Sequence, residues 1–349
     1  MGRKTVFVMV FLIVICTSSI FLIKPGSGFT LDDVKVGLYY YVWYEGVHGE
    51  GHWNGIPPDK PESLDWKIVD TPILGFYNSQ DPTLIRHQLE WFKELHIDFL
   101  IISWWGPYSF PDNTTKTVFS IVEQEDYPIK LAIMVEAYNW SGLYNFETIY
   151  DYIYDTYVSP YESIYMKLSD LPLVCFFNDE NMTGNEAQRI AINSSDTRFT
   201  PRIVGHNDYV DWWGWPVAGY SEAPEPILCE EDGYIGILPR YDDRHLGWGN
   251  PPYDANLTEG LYDKQWNKAI TLANESKVNY VGIYSWNEYH ERSQIEPHIN
   301  PDGKYVLSPF CKTYHYIQII PEFPSFLILP LFMIATLTAV IVYKRKYSK

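Results

Sequence analysis

Short apolar runs alternate with amphipathic stretches through most of this 349-residue chain, and that alternation limits the fold more than any other feature. Apolar runs cover residues 34–42, 99–104, 129–135, 172–177, 233–238 and 279–285, and a further one starts near Arg202. Each is short and apolar at successive positions, as in strands buried on both faces. Between them, residues 82–95, 146–157 and 259–274 carry helical spacing, and Asp81 stands as an N-cap before Pro82 at the first helical position. Strands separated by helices pair in parallel, and about eight of them close into a (β/α)8 barrel, an α/β fold of the TIM type. Several runs end in polar or aromatic clusters, at 43–53, 103–107, 136–140, 241–244 and 286–291. In such a barrel the carboxyl ends of the strands converge on one face, where the active site is built.

The barrel is expected over residues 29–320 as a single extracellular domain, because no Gly/Ser-rich, Pro-rich or highly charged stretch divides them. Residues 1–28 combine Arg3 and Lys4, a long apolar run, and small residues at Gly26, Ser27 and Gly28. That is the pattern of a cleaved signal peptide or of an uncleaved signal anchor. Residues 321–325, with Pro321, Glu322 and Pro324, read as a short stalk. Residues 326–343 read as a transmembrane helix and 344–349 as a basic cytoplasmic tail. These ends imply a single-pass or two-pass protein of the cell membrane with its barrel outside. Sequons at Asn113, Asn139, Asn181, Asn193, Asn256 and Asn274 permit glycosylation there.

The net charge of −18, from 44 acidic and 26 basic residues, repels phosphates and excludes nucleic acid as a partner. The 13 Trp and 29 Tyr fit sugar recognition, where apolar sugar faces stack on rings. Cys16 lies in the N-terminal apolar run, which leaves Cys175, Cys229 and Cys311, an odd number that cannot all pair within one chain. Cys175 reads as an inert buried thiol. There is no G-x-S-x-G elbow, glycine-rich phosphate loop or dinucleotide fingerprint, so serine hydrolases, nucleotide enzymes and nicotinamide enzymes are unsupported. No cofactor and no metal are expected. His48, Glu50 and His52 lack the helical zinc spacing, and glycines at 46, 49 and 51 dismantle any helix there.

Glu288 and Glu291 are the leading candidates for chemistry. They stand three residues apart in Trp286-Asn287-Glu288-Tyr289-His290-Glu291, directly after the last strand. Residues at i and i+3 share a face only if the chain curls after Trp286. Two close carboxylates repel, so one holds a proton at neutral pH and the pair can work as acid and base. Hydrolysis of a glycosidic bond needs such a pair. Candidate sugar contacts are Tyr41, Trp43, Tyr44, His52 and Trp53 after the first strand, and Trp105, favoured over Trp104, after the second. Glu136 and Tyr138 follow the third strand; Glu136 holds a sugar hydroxyl or pairs with a basic residue in the barrel wall. Tyr241 and Arg244 cover the substrate or form a solvated turn. Asn287, His290 and Arg292 flank the pair, and Glu296 supports it from behind.

These residues resemble glycoside hydrolase family 99, the endo-α-mannosidase family. Its signature, Trp/Phe-Asn-Glu-Trp-His-Glu-Gly-Thr-Gln-Ile-Glu, is matched by residues 286–296. Its first-strand pattern is matched at Tyr40-Tyr41-Val42-Trp43-Tyr44 and His52-Trp53, and Ser-Trp-Trp-Gly at 103–106. The resemblance covers about residues 34–316. It implies a retaining barrel hydrolase without cofactor, acting on an oligosaccharide or polysaccharide. In that mechanism Glu288 deprotonates the sugar 2-hydroxyl, which attacks the anomeric carbon, and Glu291 protonates the leaving oxygen and then activates water. A protein nucleophile at Glu136, and a glycan-binding protein without turnover, are the alternatives. Arg292 replaces the family's glycine, and Tyr289 its tryptophan. The Arg292 guanidinium is expected to fill part of the cleft or to bind an acidic substrate, lowering the pKa of a nearby glutamate.

Overall fold

The computed structural model describes residues 34–46, 51–53, 70–138, 145–177, 183, 186–204, 213–215, 225–226, 228–244 and 252–319. The expected signal segment, stalk, membrane helix and tail, together with His48 and Glu50, lie outside the described residues. Among the described residues, no helix is long and apolar enough to cross a membrane.

The strands in chain order are β1 (Lys35–Tyr41), β2 (Thr71–Pro72), β3 (Phe99–Trp104), β4 (Lys130–Val135), β5 (Lys167–Leu168) and β6 (Leu171–Phe177). They continue with β7 (Thr200–Val204), β8 (Leu228–Cys229), β9 (Tyr234–Ile237), β10 (Tyr280–Ile283), β11 (His298–Ile299) and β12 (Tyr305–Val306). Parallel pairing runs β7, β6, β4, β3, β1, β10, β9, with short β5 and β8 added antiparallel to β6 and β9. The helices are α1 (Pro82–Glu94), α2 (Phe110–Gln124), α3 (Phe146–Ile153), α4 (Glu186–Ser194), α5 (Leu261–Asn274) and α6 (Ser308–Ile319). Asp81 caps α1 by accepting from Thr83 N–H at 2.8 Å, as its place before Pro82 predicts.

The sheet curls. Residues 213–215 reach both of its ends: Trp213 N–H donates to Ile203 O of β7 at 2.6 Å, and a Cβ on Gly236 of β9 would lie 1.8 Å from Gly214 O. Strand alternation divides the apolar residues into two bodies. Val36, Leu38 and Tyr40 of β1, with Leu100, Ile102 and Trp104 of β3, face the helices. Tyr39 and Tyr41, with Phe99 and Ile101, face the inside of the curl. Gly37, Gly282 and Gly236 share one register across β1, β10 and β9. A Cβ at Gly37 would strike the Phe99 ring at 2.1 Å, and one at Gly282 would strike the Tyr234 hydroxyl at 2.1 Å. Bare backbone on these strands makes room for large rings inside.

Helices α2, α4 and α6 are absent from the sequence reading. The first turns of α2 carry Pro111, Asn113, Thr114 and Thr115, weak helix formers that mask its period. A Ser109 cap and burial of Val118, Phe119, Ile121 and Val122 hold it instead. The expected helix over 146–157 is regular only to Ile153, then widens into a π-helical turn at Tyr154–Val158. A small antiparallel sheet of β2, β11 and β12 also went unread, because two-residue strands have no period to detect.

Candidate active site

The last inward-facing positions of four neighbouring strands meet at one end of the curl. They are Tyr41 of β1, Ser103 of β3, Glu136 just past β4, and Tyr284 just past β10. Ser103 Oγ donates to Glu136 Oε1 at 2.8 Å, and Trp105 Nε1 donates to Ser103 Oγ at 3.1 Å. Tyr41 OH donates to Tyr284 OH at 3.2 Å, which donates to Glu291 Oε2 at 2.5 Å.

The chain does curl after Trp286. Ile295 N–H and Glu296 N–H donate back to Ser285 O and Trp286 O, both at 2.9 Å, so residues 286–294 form a closed loop. The Tyr284–Ser285 peptide at its root is cis. Inside the loop, Glu288 N–H donates to Ser285 Oγ at 2.8 Å. Glu288 Oε1 accepts from His290 N–H at 2.8 Å and lies 3.2 Å from His290 Nδ1.

Among the described residues, no Lys or Arg forms an ion pair with Glu136, Glu288 or Glu291. Burial raises the pKa of Glu288, and hydrogen bonds from the backbone of His290 and Glu291 pull it partly back. Burial, then the charge of Glu288, raises Glu291; Asp243 adds to the rise and Tyr284 opposes it. Burial pushes Glu136 up to about 8, with the Ser103 bond opposing and the charges of Glu288 and Glu291 reinforcing. Burial lowers His290 to about 4, so its ring is neutral at neutral pH.

The other predicted residues divide between the cleft and its supports. Trp43 lies among His52, Tyr41 and Trp105, at centroid distances of 4.4, 4.6 and 5.7 Å, and edge-on to His290 at 6.0 Å. Trp104 turns toward the helices and donates to Asp112, so Trp105 is the tryptophan on the site's side. Besides Arg244 and Arg292, four candidates are supports. Tyr44 and Trp53 are buried and stacked at 3.8 Å, with Tyr44 OH donating to Asn287 O at 2.6 Å. Asn287 is used up in holding β1: its Oδ1 accepts from Tyr41 N–H at 2.9 Å, and its Nδ2 donates to Tyr41 O at 2.8 Å and Tyr77 OH at 3.1 Å. Tyr138 lies under Gly106 and edge-on to Trp104, 5.5 Å away, on the helix-facing side.

Arg292 departs furthest from expectation. Its guanidinium donates to Asp70 at 3.0 and 3.2 Å and to Asp242 at 2.9 Å. It therefore binds two aspartates of this chain and neither fills the cleft nor appears among the groups that shift Glu288 or Glu291. Its φ of +52° is the left-handed conformation that favours glycine, the residue of the family motif. Arg240 donates to Arg292 O and to Asp70 Oδ2, both at 2.6 Å. Asp242 N–H donates to Glu291 O at 2.8 Å. Arg244 is exposed and pairs with Asp242, and Tyr241 OH donates to Asp243 at 2.9 Å. Glu296 sits behind the loop, accepting from Tyr77 OH at 2.9 Å and Tyr289 OH at 3.0 Å, and burial pushes it up to about 8.

Sequence reasoning missed Tyr284, Trp215, Asp243 and Asp70. Tyr284 had a signal: it continues the inward register of Tyr280 and Gly282. Asp70 had none, since it meets Arg292 across 222 positions of chain.

A curled parallel sheet with acids and aromatic rings gathered at the carboxyl ends of its strands is an arrangement that barrel glycoside hydrolases use. Comparison with known proteins narrows the class. No family model matches the chain. The glycoprotein endo-alpha-1,2-mannosidase-like protein of Mus musculus is 24% identical over 328 residues, 77% of this chain and 71% of that one. The glycoprotein endo-alpha-1,2-mannosidase of the same species is 22% identical over 310 residues, 74% of this chain and 66% of that one. Among solved structures, the GH99 endo-alpha-mannosidase from Bacteroides thetaiotaomicron aligns with a TM-score of 0.59 at 20% identity, covering 83% of this chain and 98% of that one. The resemblance to family 99 carried by the 286–296 motif is thus found again at moderate identity. These likenesses support a glycoside hydrolase.

Proposed function

We propose that this protein hydrolyses α-mannosidic or related glycans with retention of anomeric configuration. The observation that carries the reading is the meeting of Glu288, Glu291 and Glu136 at the carboxyl end of the sheet without a cation to neutralise them. Three such acids do not all ionise together, so the set keeps a proton at neutral pH. Backbone donors favour charge on Glu288, and that charge favours the proton on Glu291.

In the first step Glu288 takes the proton of the sugar 2-hydroxyl, and its oxygen attacks the anomeric carbon. Glu291 gives its proton to the departing glycosidic oxygen, leaving a 1,2-anhydro sugar. In the second step Glu291, now a carboxylate, takes a proton from the water that opens the anhydro ring, and Glu288 returns its proton to O2. Two inversions at one carbon give net retention. A route with Glu136 as nucleophile is the second reading, and a covalent glycosyl-enzyme trapped on Glu136 would favour it. Arg292 lends no support to binding without turnover, because its guanidinium is committed to Asp70 and Asp242.

The same reading closes the barrel with an eighth strand, sets it outside the cell, and anchors it in the membrane through residues 326–343. Full-length protein in membranes, offered defined α-mannosides, should release sugar whose first-formed anomer keeps the α configuration. Release of the inverted anomer, or no release from any α-mannoside, would refute the proposal.

A further inference from the structure

We infer that Tyr284 is a positioning residue that decides which oxygen of Glu291 carries the acid proton. It holds Oε2 as an acceptor, so that Oε1 delivers the proton to the leaving group. The inference rests on the reading of Glu291 as acid/base.

The Tyr284 ring is buried and stacked on Trp215, with centroids 3.5 Å apart and planes 6° from parallel. Tyr39 and Tyr41 meet it edge-on at 5.9 and 6.1 Å. Its hydroxyl is thereby fixed in place. A phenol has one proton to give. Tyr284 gives it to Glu291 Oε2 at 2.5 Å and accepts from Tyr41 OH at 3.2 Å, so donation runs from Tyr41 through Tyr284 to Glu291. An oxygen that accepts such a bond is a poor seat for the carboxyl's own hydrogen, which sits on the other oxygen.

The titratable groups facing Glu291 are Glu288 from its own loop, Asp243 after β9, Tyr41 on β1, Tyr284 after β10 and Glu136 after β4. Two of these, Glu288 and Asp243, are acids whose charge opposes ionisation of Glu291. Among the described residues, Tyr284 alone donates a side-chain hydrogen bond to its carboxyl. A hydrogen bond to the charged form favours that form. Tyr284 therefore also makes the deprotonated Glu291 of the second step easier to reach.

Tyr284→Phe tests this, because it removes the hydroxyl and keeps the ring on Trp215. Its loss should raise the pKa of Glu291. The alkaline limb of kcat/KM, where Glu291 loses its proton, should move up by about one pH unit, and kcat should fall while KM stays. Tyr41→Phe, which removes only the outer donor, should move the limb the same way by less. A second readout needs no turnover: the infrared C=O stretch of protonated Glu291, recognised as the band lost in Glu291→Gln, should titrate at higher pH in Tyr284→Phe. A lowered kcat with an unmoved pH limb and an unmoved infrared titration would reduce Tyr284 to a packing role and overturn the inference. Absence of glycan turnover by the wild type, with the infrared shift present, would count against the hydrolase reading and for the Tyr284–Glu291 pairing.

Discussion

The loop after β10 treats acids in opposite ways on its two sides. Toward the inside of the curl, Glu288 and Glu291 face Glu136; burial raises all three, the charge of Glu288 adds to the rise of Glu291, and the charges of both add to that of Glu136. On the far side, Asp70 and Asp242 meet Arg240, Arg244 and Arg292, with His298 close by. Burial alone would raise Asp70, but Arg240, then Arg292 and His298, outweigh it and hold it at about 2. The difference separates two uses of one functional group. Asp70 and Asp242, which hold the fold, are given cations, and Glu296 is given tyrosine hydroxyls, because a buried polar group without a partner is costly. The acids that the proposed mechanism uses to move protons are left without a cation, so that a proton stays available near neutral pH.

The largest test of that contrast is on the inner side. Glu291→Gln should slow hydrolysis by about a hundredfold to ten-thousandfold, the scale of general acid–base catalysis. Its thermal midpoint should hold or rise, since glutamine keeps the shape of the protonated acid and cannot ionise beside Glu288. Loss of activity together with a lowered midpoint would put Glu291 among the fold's supports and erase the distinction.

Next comes the far side. Asp70→Ala strands the buried guanidinium of Arg240, and breaking such a pair costs about 3–5 kcal/mol. Denaturant midpoints read this directly; a change within error would mean that the cluster is dispensable.

The third test is pH. Glu136 keeps its proton to about 8 in the folded chain, whereas an unfolded glutamate releases it near about 4.3. Across that window the unfolded state binds fewer protons, so stability falls as pH rises. Asp70 runs the other way. It is held at about 2 against about 3.9 when unfolded, so its contribution is full above the unfolded value and is lost as pH falls through the folded one. Glu136→Gln should flatten the upper slope by up to about 1.4 kcal/mol per pH unit and leave the lower slope alone. An upper slope identical in variant and wild type would contradict the raised Glu136.

The smallest effect belongs to the aromatic wall. Trp105→Ala should raise KM by about fivefold, roughly 1 kcal/mol of ring contact, with kcat little changed. A fall in kcat at constant KM would assign Trp105 to the chemistry instead.

Much of the inner side was legible in the chain. Glu288, Glu291 and His290 lie within four consecutive residues, and the strand before them announces itself by its apolar run. Tyr41, Trp105 and Glu136 stand at or just past strand ends, so naming the strands nearly names the site. The far side was not legible. Asp70, Asp242 and Arg292 come from three distant segments and share no spacing, and Arg292 was read toward the cleft because its neighbours face there. Tyr44, Trp53 and Asn287 were misplaced for a related reason. Residue type says what a side chain can bind, but Tyr, Trp and Asn bind their own chain as readily as a sugar.

The sequence by itself determined the alternation of buried strands and helices, the end of the sheet where chemistry would gather, and the two acids at its centre. All of these depend on local period and on residues close together along the chain. Only the tertiary structure decided which side each ring and charge would face, that Arg292 would turn to Asp70 and Asp242, and that Tyr284 would reach Glu291. Those outcomes depend on which surfaces meet when remote segments pack, and a hydrogen bond or ion pair forms only where packing delivers both partners within about 3 Å of each other.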